Sequence, residues 1–471
     1  MRKGKARVIR LPKLEKGRSA QDQLKGHLRQ LILTGGIGAG ARMPAQRILA
    51  RDTGLSRNTV TIVYETLISE GLLETRHGSG TFVVKQPFRV AAQRRVTPPK
   101  DPVPELPLHQ GVPDLSLFPR EIWRRLQDRR WRELSVTSLG YGDAAGWSGL
   151  RHIMAQRLAA TRGLSCTAEQ VFIVPSAMHG IRLVCRALGA RGKSAWVEDP
   201  TYPRVREILQ ENGVTPARVP VDSSGVVVSE GVRTARDAVF AYVTPAAQFP
   251  TGAPMAWPRR QALLNWAQAA GGWIVEDDYD ADFVFEGVAP PALASEATGG
   301  RVIYVASHNN VFFPALQLAC VVAPDGLVDA FARAANELNL ALNGPMQMVA
   351  HDFMEGGHLA AHLRRCREAY AERRALLRSL LAERINLELA PQPVGLHVAG
   401  WFREPVDEQA VHRAISAEGV IVHPIVDERP GARPGLYAGF SGYSCKTITS
   451  AVDRMARAVQ RATPYYGQEA G

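Results

Sequence analysis

The sequence predicts a multidomain α/β protein in which a small helical N-terminal module precedes a larger domain with a mainly parallel sheet. The chain has 471 residues, and single hydrophobic cores rarely extend beyond about 250–300 residues. After residue 108, short apolar runs of strand length alternate with helical stretches. This alternation is typical of a parallel sheet covered by helices on both faces.

The distribution of charge separates the N-terminal fifth from the rest. The chain has 57 Lys+Arg against 45 Asp+Glu, a formal net charge of +12. Residues 1–100 hold 20 of the basic and 6 of the acidic side chains, which leaves 37 and 39 for the remainder. A basic module on a near-neutral body indicates a polyanion partner, most simply nucleic acid. A solvated basic tail is the alternative for a segment without a fold of its own.

Composition excludes several classes of protein. A hydrophobic fraction of 45% is that of a globular chain, and no stretch approaches the roughly 20 apolar residues that cross a bilayer. The basic N-terminus is not followed by an apolar signal core. Five widely spaced cysteines without a CxxC pair indicate neither a disulfide framework nor a metal site. We expect a cytoplasmic protein with no membrane partner.

Helical periodicity and punctuation organise the N-terminal module. Residues 19–34 place leucines and isoleucine at the spacing of an amphipathic helix. A short helix is predicted to begin at Pro44 and to be broken by Gly54. Another is capped by Ser56 and ended by Gly71. Two short helices joined by a tight glycine turn form a helix-turn-helix.

A hairpin follows these helices and completes a recognisable pattern. The short strands LLETR and GTFVV are joined by HGSG. Together, RMPAQRILARDTGLSRNTV and EGLLETRHGSGTFV resemble the winged helix-turn-helix of the GntR family of bacterial regulators. The resemblance implies that the second helix of the pair enters the major groove of DNA, where Arg reads guanine and Asn reads adenine. The positions that it places at DNA are Arg47, Ser56, Arg57, Asn58, Thr59, His77 and Gly78.

The predicted domain organisation has four parts. They are a basic arm (1–18), the winged helix-turn-helix (19–85), a linker with six prolines (86–107) and the body (108–471). Dense prolines favour extended chain, so the linker is interpreted as a semi-rigid spacer or as an ordinary tether. Within the body, a small subdomain is predicted from about 345–471 with part of 108–150.

Six apolar runs are the predicted strands of the body: VFIV (171–174), SAWVED (194–199), AVFAYVTP (238–245), GWIVEDDYD (272–280), RVIYVAS (301–307) and LACVVAP (318–324). Ligands of such sheets bind at the carboxyl ends of the strands. The residues at those ends are therefore the candidate site residues.

The order of segments in the body resembles the aminotransferase-like domain of fold type I, pyridoxal phosphate dependent, that MocR-type regulators fuse to a GntR head. The supporting stretches include GVPDLSLFPREIW, EDPTYPRVRE, VTPAAQFPTGAPM, IVEDDYDADFVFEG and RVIYVASHNNVFFPALQLACVV. The resemblance implies a pyridoxal phosphate pocket and a homodimer that binds double-stranded operator DNA.

Part of that pocket is recognisable in the sequence. The resemblance assigns Asp277 to the pyridinium nitrogen, Tyr279 to O3′ and Tyr202 to stacking on the ring. A buried carboxylate at a strand end and ordinary core aromatics are the alternatives. Arg204 is a candidate for pairing a ligand carboxylate, or else a surface charge on a helix.

The groups that would anchor the cofactor are missing. Asn310 stands at the Schiff-base lysine position, four residues before Pro314, and Gln317 replaces the phosphate-binding arginine. An amide cannot form an imine with an aldehyde. The phosphate loop reads PSAMH at 175–179, without the glycine and one hydroxyl of the family pattern.

No other residue clearly replaces the lysine. Beyond the linker the chain has only Lys193, in a turn before a strand, and Lys446, far from the lysine's place in the chain. Lys446 stays open as a substitute. His308 is a candidate base or simply polar lining.

We therefore expect a transcription regulator with no catalytic residue. Its body either senses a small-molecule effector or serves only for dimerisation, and it binds pyridoxal phosphate non-covalently or not at all. A functional pyridoxal-phosphate-dependent aminotransferase is the alternative.

Overall fold

The computed structural model describes residues 19–85, 106–288, 290–340, 343–426 and 431–463. The chain divides into two compact units between Val103 and Pro104. The predicted basic arm, 1–18, and all of the predicted linker except residues 106 and 107 lie outside the described residues. None of the described helices has the length and apolar character needed to cross a bilayer.

The first unit is a winged helix-turn-helix. Its elements are α1 (Ala20–Leu33), α2 (Gln46–Thr53), α3 (Arg57–Ser69), β1 (Leu73–Arg76) and β2 (Gly80–Val83). Strands β1 and β2 pair in antiparallel fashion as the wing. The apolar faces of the helices form one core with the start of β1 and the end of β2. The predicted fold of this module is therefore confirmed.

Local chemistry sets the helix ends of this unit. The Ser56 side chain accepts a hydrogen bond from the Thr59 amide at 3.1 Å and so caps α3. Gly54 ends α2 with a φ of +71°, a conformation that favours glycine. Helix α2 begins at Gln46, two residues after the predicted start. Pro44 lies in the segment before the helix, and its carbonyl accepts from the Tyr64 hydroxyl at 2.9 Å.

The second unit contains two sheets with helices packed on them. Its helices are α4 (Arg120–Glu133), α5 (Ser148–Arg162), α6 (Ala177–Ala187), α7 (Pro203–Glu211), α8 (Val228–Thr234), α9 (Trp257–Ala270), α10 (Leu293–Glu296), α11 (Val328–Glu337), α12 (Gly344–Glu355), α13 (His358–Arg384), α14 (Glu408–Ala417) and α15 (Cys445–Ala462). Its strands are β3 (Val171–Val174), β4 (Ser194–Asp199), β5 (Thr215–Asp222), β6 (Gly225–Val226), β7 (Phe240–Val243), β8 (Trp273–Asp278), β9 (Val302–Ser307), β10 (Ala319–Val322), β11 (Leu387–Leu389), β12 (His397–Phe402), β13 (His423–Pro424) and β14 (Gly435–Gly439).

The large sheet is mainly parallel, as predicted. Its strand order is β3-β10-β9-β8-β7-β4-β5-β6. The five central strands from β9 to β5 pair in parallel, and β10 and β6 run antiparallel to their neighbours. Because β4, β7, β8 and β9 are adjacent and parallel, their carboxyl ends meet at one edge of the sheet, which we call the carboxyl edge.

The second sheet is antiparallel, in the order β11-β12-β14-β13. Helices α13 and α15 pack on each other, and α14 packs on α15. The segment that enters the body also joins this layer, because the Gly439 amide donates to the Leu108 carbonyl at 2.8 Å. This layer approaches the carboxyl edge through residues 390–397, as the contacts below show.

Candidate functional site

The head presents the DNA-binding candidates at the surface. Arg57 and Asn58 are exposed in the first turn of α3, and Arg47 is exposed in the first turn of α2. The Thr61 hydroxyl of α3 donates to the Gln46 side chain at 3.1 Å, which joins the two helices where those arginines lie. This geometry leaves the guanidinium groups accessible to a nucleic acid.

The remaining head candidates lie at the start of α3 and at the wing tip. Ser56 is exposed and its hydroxyl lies 2.8 Å from that of the half-buried Thr59. His77 and Gly78 are exposed between β1 and β2, and Gly78 has a φ of +72°. The tight turn that projects the wing tip therefore relies on glycine at this position.

In the body, Asp277 lies near the end of β8 and is 5% exposed. The Tyr242 hydroxyl donates to its Oδ2 at 2.6 Å. Among the described residues, Oδ1 has no hydrogen-bond partner. Burial raises the pKa of Asp277 to about 7, against the opposing effect of the Tyr242 hydroxyl. The buried free oxygen of Asp277 is suited to accept from an N–H group.

A second carboxylate at the same edge was not foreseen. Glu198 in β4 is 1% exposed, and its Oε2 accepts from the Thr244 hydroxyl at 2.6 Å and the Thr244 amide at 3.2 Å. Gln248 also approaches Oε2, at 3.3 Å. Oε1 has no partner in the described part of the chain. Burial raises the pKa of Glu198 to about 7, and the nearby Asp277 acts in the same direction.

Asn310 follows β9 and is tied to a third carboxylate. Its Nδ2 donates to Asp280 Oδ1 at 3.0 Å, and the Leu396 amide donates to Asp280 Oδ2 at 3.1 Å. Burial raises the pKa of Asp280 to about 6, and the Asn310 bond opposes that rise. Asp280 therefore connects the loop after β9 to the segment that enters β12.

The segments that the family resemblance assigns to phosphate lie at the start of α6 and before β10. The Ser176 hydroxyl accepts from the His179 amide at 3.4 Å and lies 2.9 Å from His179 Nδ1, at the start of α6. Gln317 is exposed and has a φ of +54°. Ser176, His179 and Gln317 all lack a permanent positive charge. Burial lowers the pKa of His179.

Aromatic side chains gather around Phe249, which follows Gln248. The centroid of its ring lies 5.2 Å from that of Tyr437, 5.6 Å from Tyr202 and 5.8 Å from Tyr279. His397 completes the group at 5.3 Å. The Tyr279 hydroxyl donates to the Ala247 carbonyl at 3.0 Å. Two predicted site residues, Tyr202 and Tyr279, thus meet in one cluster.

Four other candidates lie in different settings. Arg204 is exposed on α7 and forms ion pairs with Glu207 and Glu211. Lys193, before β4, and Lys446, in the first turn of α15, are both exposed. His308 is buried, and burial lowers its pKa to about 4, so its imidazole is neutral near pH 7.

Glu198, Asp280 and Phe249 were missed at the level of sequence. Asp280 lies within the EDDYD stretch and Phe249 within AAQFPTG, both of which had been recognised. Their roles depend on contacts with residues more than 40 positions away, such as Thr244 with Glu198 and Leu396 with Asp280. Spacing along the chain cannot show such contacts.

Comparisons with known proteins match both units. The family described as "Bacterial regulatory proteins, gntR family" matches residues 20–83, and "Aminotransferase class I and II" matches residues 105–432. The chain is 31% identical over 461 residues to the probable rhizopine catabolism regulatory protein MocR of Rhizobium meliloti, with 92% of each chain covered. The chain belongs to the MocR-type regulators of the GntR family.

Other relatives agree with this assignment. The pyridoxine biosynthesis transcriptional regulator PdxR of Corynebacterium glutamicum is 29% identical, covering 91% of this chain and 94% of PdxR. The kynurenine aminotransferase of Pyrococcus horikoshii superimposes with a TM-score of 0.68 at 22% identity, covering 76% of this chain and 91% of that enzyme. At that identity the enzyme shows the fold alone. This MocR-type chain is a DNA-binding transcription regulator with an aminotransferase-like body.

The contact between Asn310 and Asp280 leads to a stability prediction. Asn310→Ala should lower the free energy of unfolding of the body by about 1–3 kcal/mol, because a buried carboxylate loses one of its donors. Urea unfolding followed by tryptophan fluorescence measures this, since all eight tryptophans lie in the body.

Asn336→Ala is the matched control. Asn336 is exposed on α11 and its side chain bonds only to the backbone of its own helix, so a change within about 0.5 kcal/mol is expected. Equal effects of the two substitutions would show that the Asp280 contact contributes nothing to stability.

Proposed function

We propose that this MocR-type regulator binds operator DNA through α3, α2 and the wing, and that its body has lost transamination and binds a small effector without covalent attachment. The observation that carries the second part is the hydrogen bond from the Asn310 side chain to Asp280, because the family resemblance assigns Asn310 to the Schiff-base position. An amide nitrogen held by a carboxylate is not a nucleophile for an aldehyde.

The head supports DNA binding in chemical detail. Exposed Arg57 and Asn58 at the first turn of α3 are the side chains best suited to base edges in the major groove. Ser56 and Thr59 lie where helix N-termini meet phosphates. Arg47 and the wing tip at His77 and Gly78 are placed to contact the backbone or the minor groove.

The body fits only half of pyridoxal phosphate. Asp277, Tyr279 and Tyr202 suit the ring, and the free Oδ1 of Asp277 would hold the pyridinium N–H. The aldehyde and the phosphate, however, meet Asn310 and Gln317. Asn310 cannot form an imine with the aldehyde, and the loss of a charge-assisted contact at Gln317 typically weakens binding by roughly 1.5–3 kcal/mol, a factor of about ten to a hundred. The cofactor as a whole does not fit this site, and no catalytic step is assigned.

A regulator of this design acts as a homodimer. Two heads would contact two half-sites separated by about one helical turn of DNA, or a multiple of it. Effector binding at the carboxyl edge would change the separation of the heads through the body. The segment 390–397 supports this proposal, because it contacts both the carboxyl edge and the second sheet.

Arg57 provides the test of DNA recognition. Arg57→Ala should weaken binding to an operator fragment, selected from a random DNA pool, by about fivefold to a hundredfold, the loss of a bidentate base contact of about 1–3 kcal/mol. Fluorescence anisotropy at fixed salt measures the affinity, and sedimentation should show an unchanged oligomer.

Lys25→Ala is the matched control, since it also removes one positive charge from the head. Lys25 lies on α1 and is paired with Asp22, so only a small decrease in affinity is expected. An operator affinity that Arg57→Ala leaves unchanged would remove this residue from the interface.

Effector control is tested by footprinting. The operator footprint of the full chain should change in extent or in half-site spacing when a cognate small molecule is added. Identical footprints across a panel of amines, amino acids and B6 vitamers would contradict effector sensing and favour a body that only dimerises.

A further inference from the structure

Three consecutive acidic residues of β8 have different hydrogen-bond partners. Glu276 accepts from the Leu293 and Ala294 amides at 2.8 Å each, and Asp278 pairs with Arg162 at 2.6 Å through Oδ2, although its Oδ1 has no partner among the described residues. Side chains alternate along a strand, so Asp277 projects to the opposite face. There, in the described chain, it has only the Tyr242 hydroxyl as a partner and a free, buried Oδ1.

Glu198 and Thr201 add further unsatisfied groups to the Asp277 face of the carboxyl edge. Glu198 Oε1 and Thr201 Oγ1 are buried and have no partner among the described residues. More than nine in ten buried polar groups in proteins are hydrogen-bonded. Two carboxylate oxygens without donors, one on β4 and one on β8, therefore indicate that this edge meets a donor from outside the chain.

The charge of the residues at this edge indicates whether the donor is cationic or neutral. Glu198, Asp277 and Asp280 are all buried, and in the described ranges none forms an ion pair with a basic side chain; their neighbours are neutral groups such as Tyr242, Thr244 and Asn310. The family resemblance assigns Asn310 and Gln317 to two positions that are cationic in the family. Acidic groups that have no basic partner among the described residues attract cations and repel phosphate at this face of the edge.

Aromatic rings surround the same groups. Phe249 contacts Tyr202, Tyr279 and Tyr437, and its amide donates to the Thr244 hydroxyl that in turn donates to Glu198. Aromatic faces next to carboxylates are the arrangement by which proteins bind ammonium groups. The aromatic cluster and the carboxylates thus favour the same class of ligand.

We propose that the carboxyl edge binds a small organic ammonium ion that carries no phosphate, with Glu198 and Asp277 accepting from its N–H groups and the Phe249 cluster flanking it. This inference rests on the proposed non-covalent effector site and names the chemistry of its ligand.

The test uses three compounds that differ at one group each. Pyridoxamine carries an ammonium group and no phosphate, pyridoxine replaces the amine with a hydroxyl, and pyridoxamine 5′-phosphate adds the phosphate. Isothermal titration of the full chain should show pyridoxamine binding at least tenfold more tightly than either of the other two.

Substitutions assign the binding to this edge. Asp277→Asn should weaken pyridoxamine binding at least tenfold, and Glu198→Gln provides an independent variant should the first fail to fold, which circular dichroism reports. Asp237→Asn is the control, because Asp237 is exposed in the turn before β7, at the opposite end of the strands, and its affinity should match the unaltered protein.

Two kinds of result overturn the proposal and can be told apart. Equal or tighter binding of pyridoxamine 5′-phosphate or pyridoxine would refute the cation preference and leave effector sensing in place. Absence of heat with all three compounds would refute the ammonium site, and together with unresponsive footprints it would refute effector sensing as well.

Discussion

The parallel pairing of β4, β7, β8 and β9 is the constraint on which the site depends. Because these strands are adjacent and run in the same direction, residues separated by more than 100 positions reach one edge: Glu198, Thr244, Asp277 and Asn310. Their hydrogen bonds then follow from short distances, such as 2.6 Å from Thr244 to Glu198. The fold thus brings buried acidic groups close together, whether or not a cofactor neutralises their charge.

Much of this arrangement could be predicted from the sequence. The runs 171–174 and 194–199 coincide with β3 and β4, and the four residues of β3 are all apolar and buried, as is typical of a strand covered on both faces. Strand β5 was missed because its sequence, TPARVPVD, contains two prolines and two charged residues, features that argue against a central strand. The antiparallel direction of β10 was also not predictable, because apolar composition does not encode strand direction.

For the candidate site, the order of the motifs along the chain singles out Asp277, Tyr279 and Asn310 as candidate residues. What the spacing could not show is that Asn310 donates to Asp280 and that Asp280 also holds the Leu396 amide. These contacts make Asn310 a link between the carboxyl edge and the second sheet. Through Asp280, Asn310 therefore helps to join two layers of the body.

The central claim is that the body no longer forms a covalent bond with pyridoxal phosphate. The most direct measurement is the intact mass of the full chain after incubation with one equivalent of pyridoxal phosphate and reduction with borohydride. If no covalent bond forms, the chain keeps its unmodified mass and the purified protein has no visible absorbance. A near-stoichiometric pyridoxyl adduct on one lysine, such as Lys446, would contradict it and restore the aminotransferase alternative.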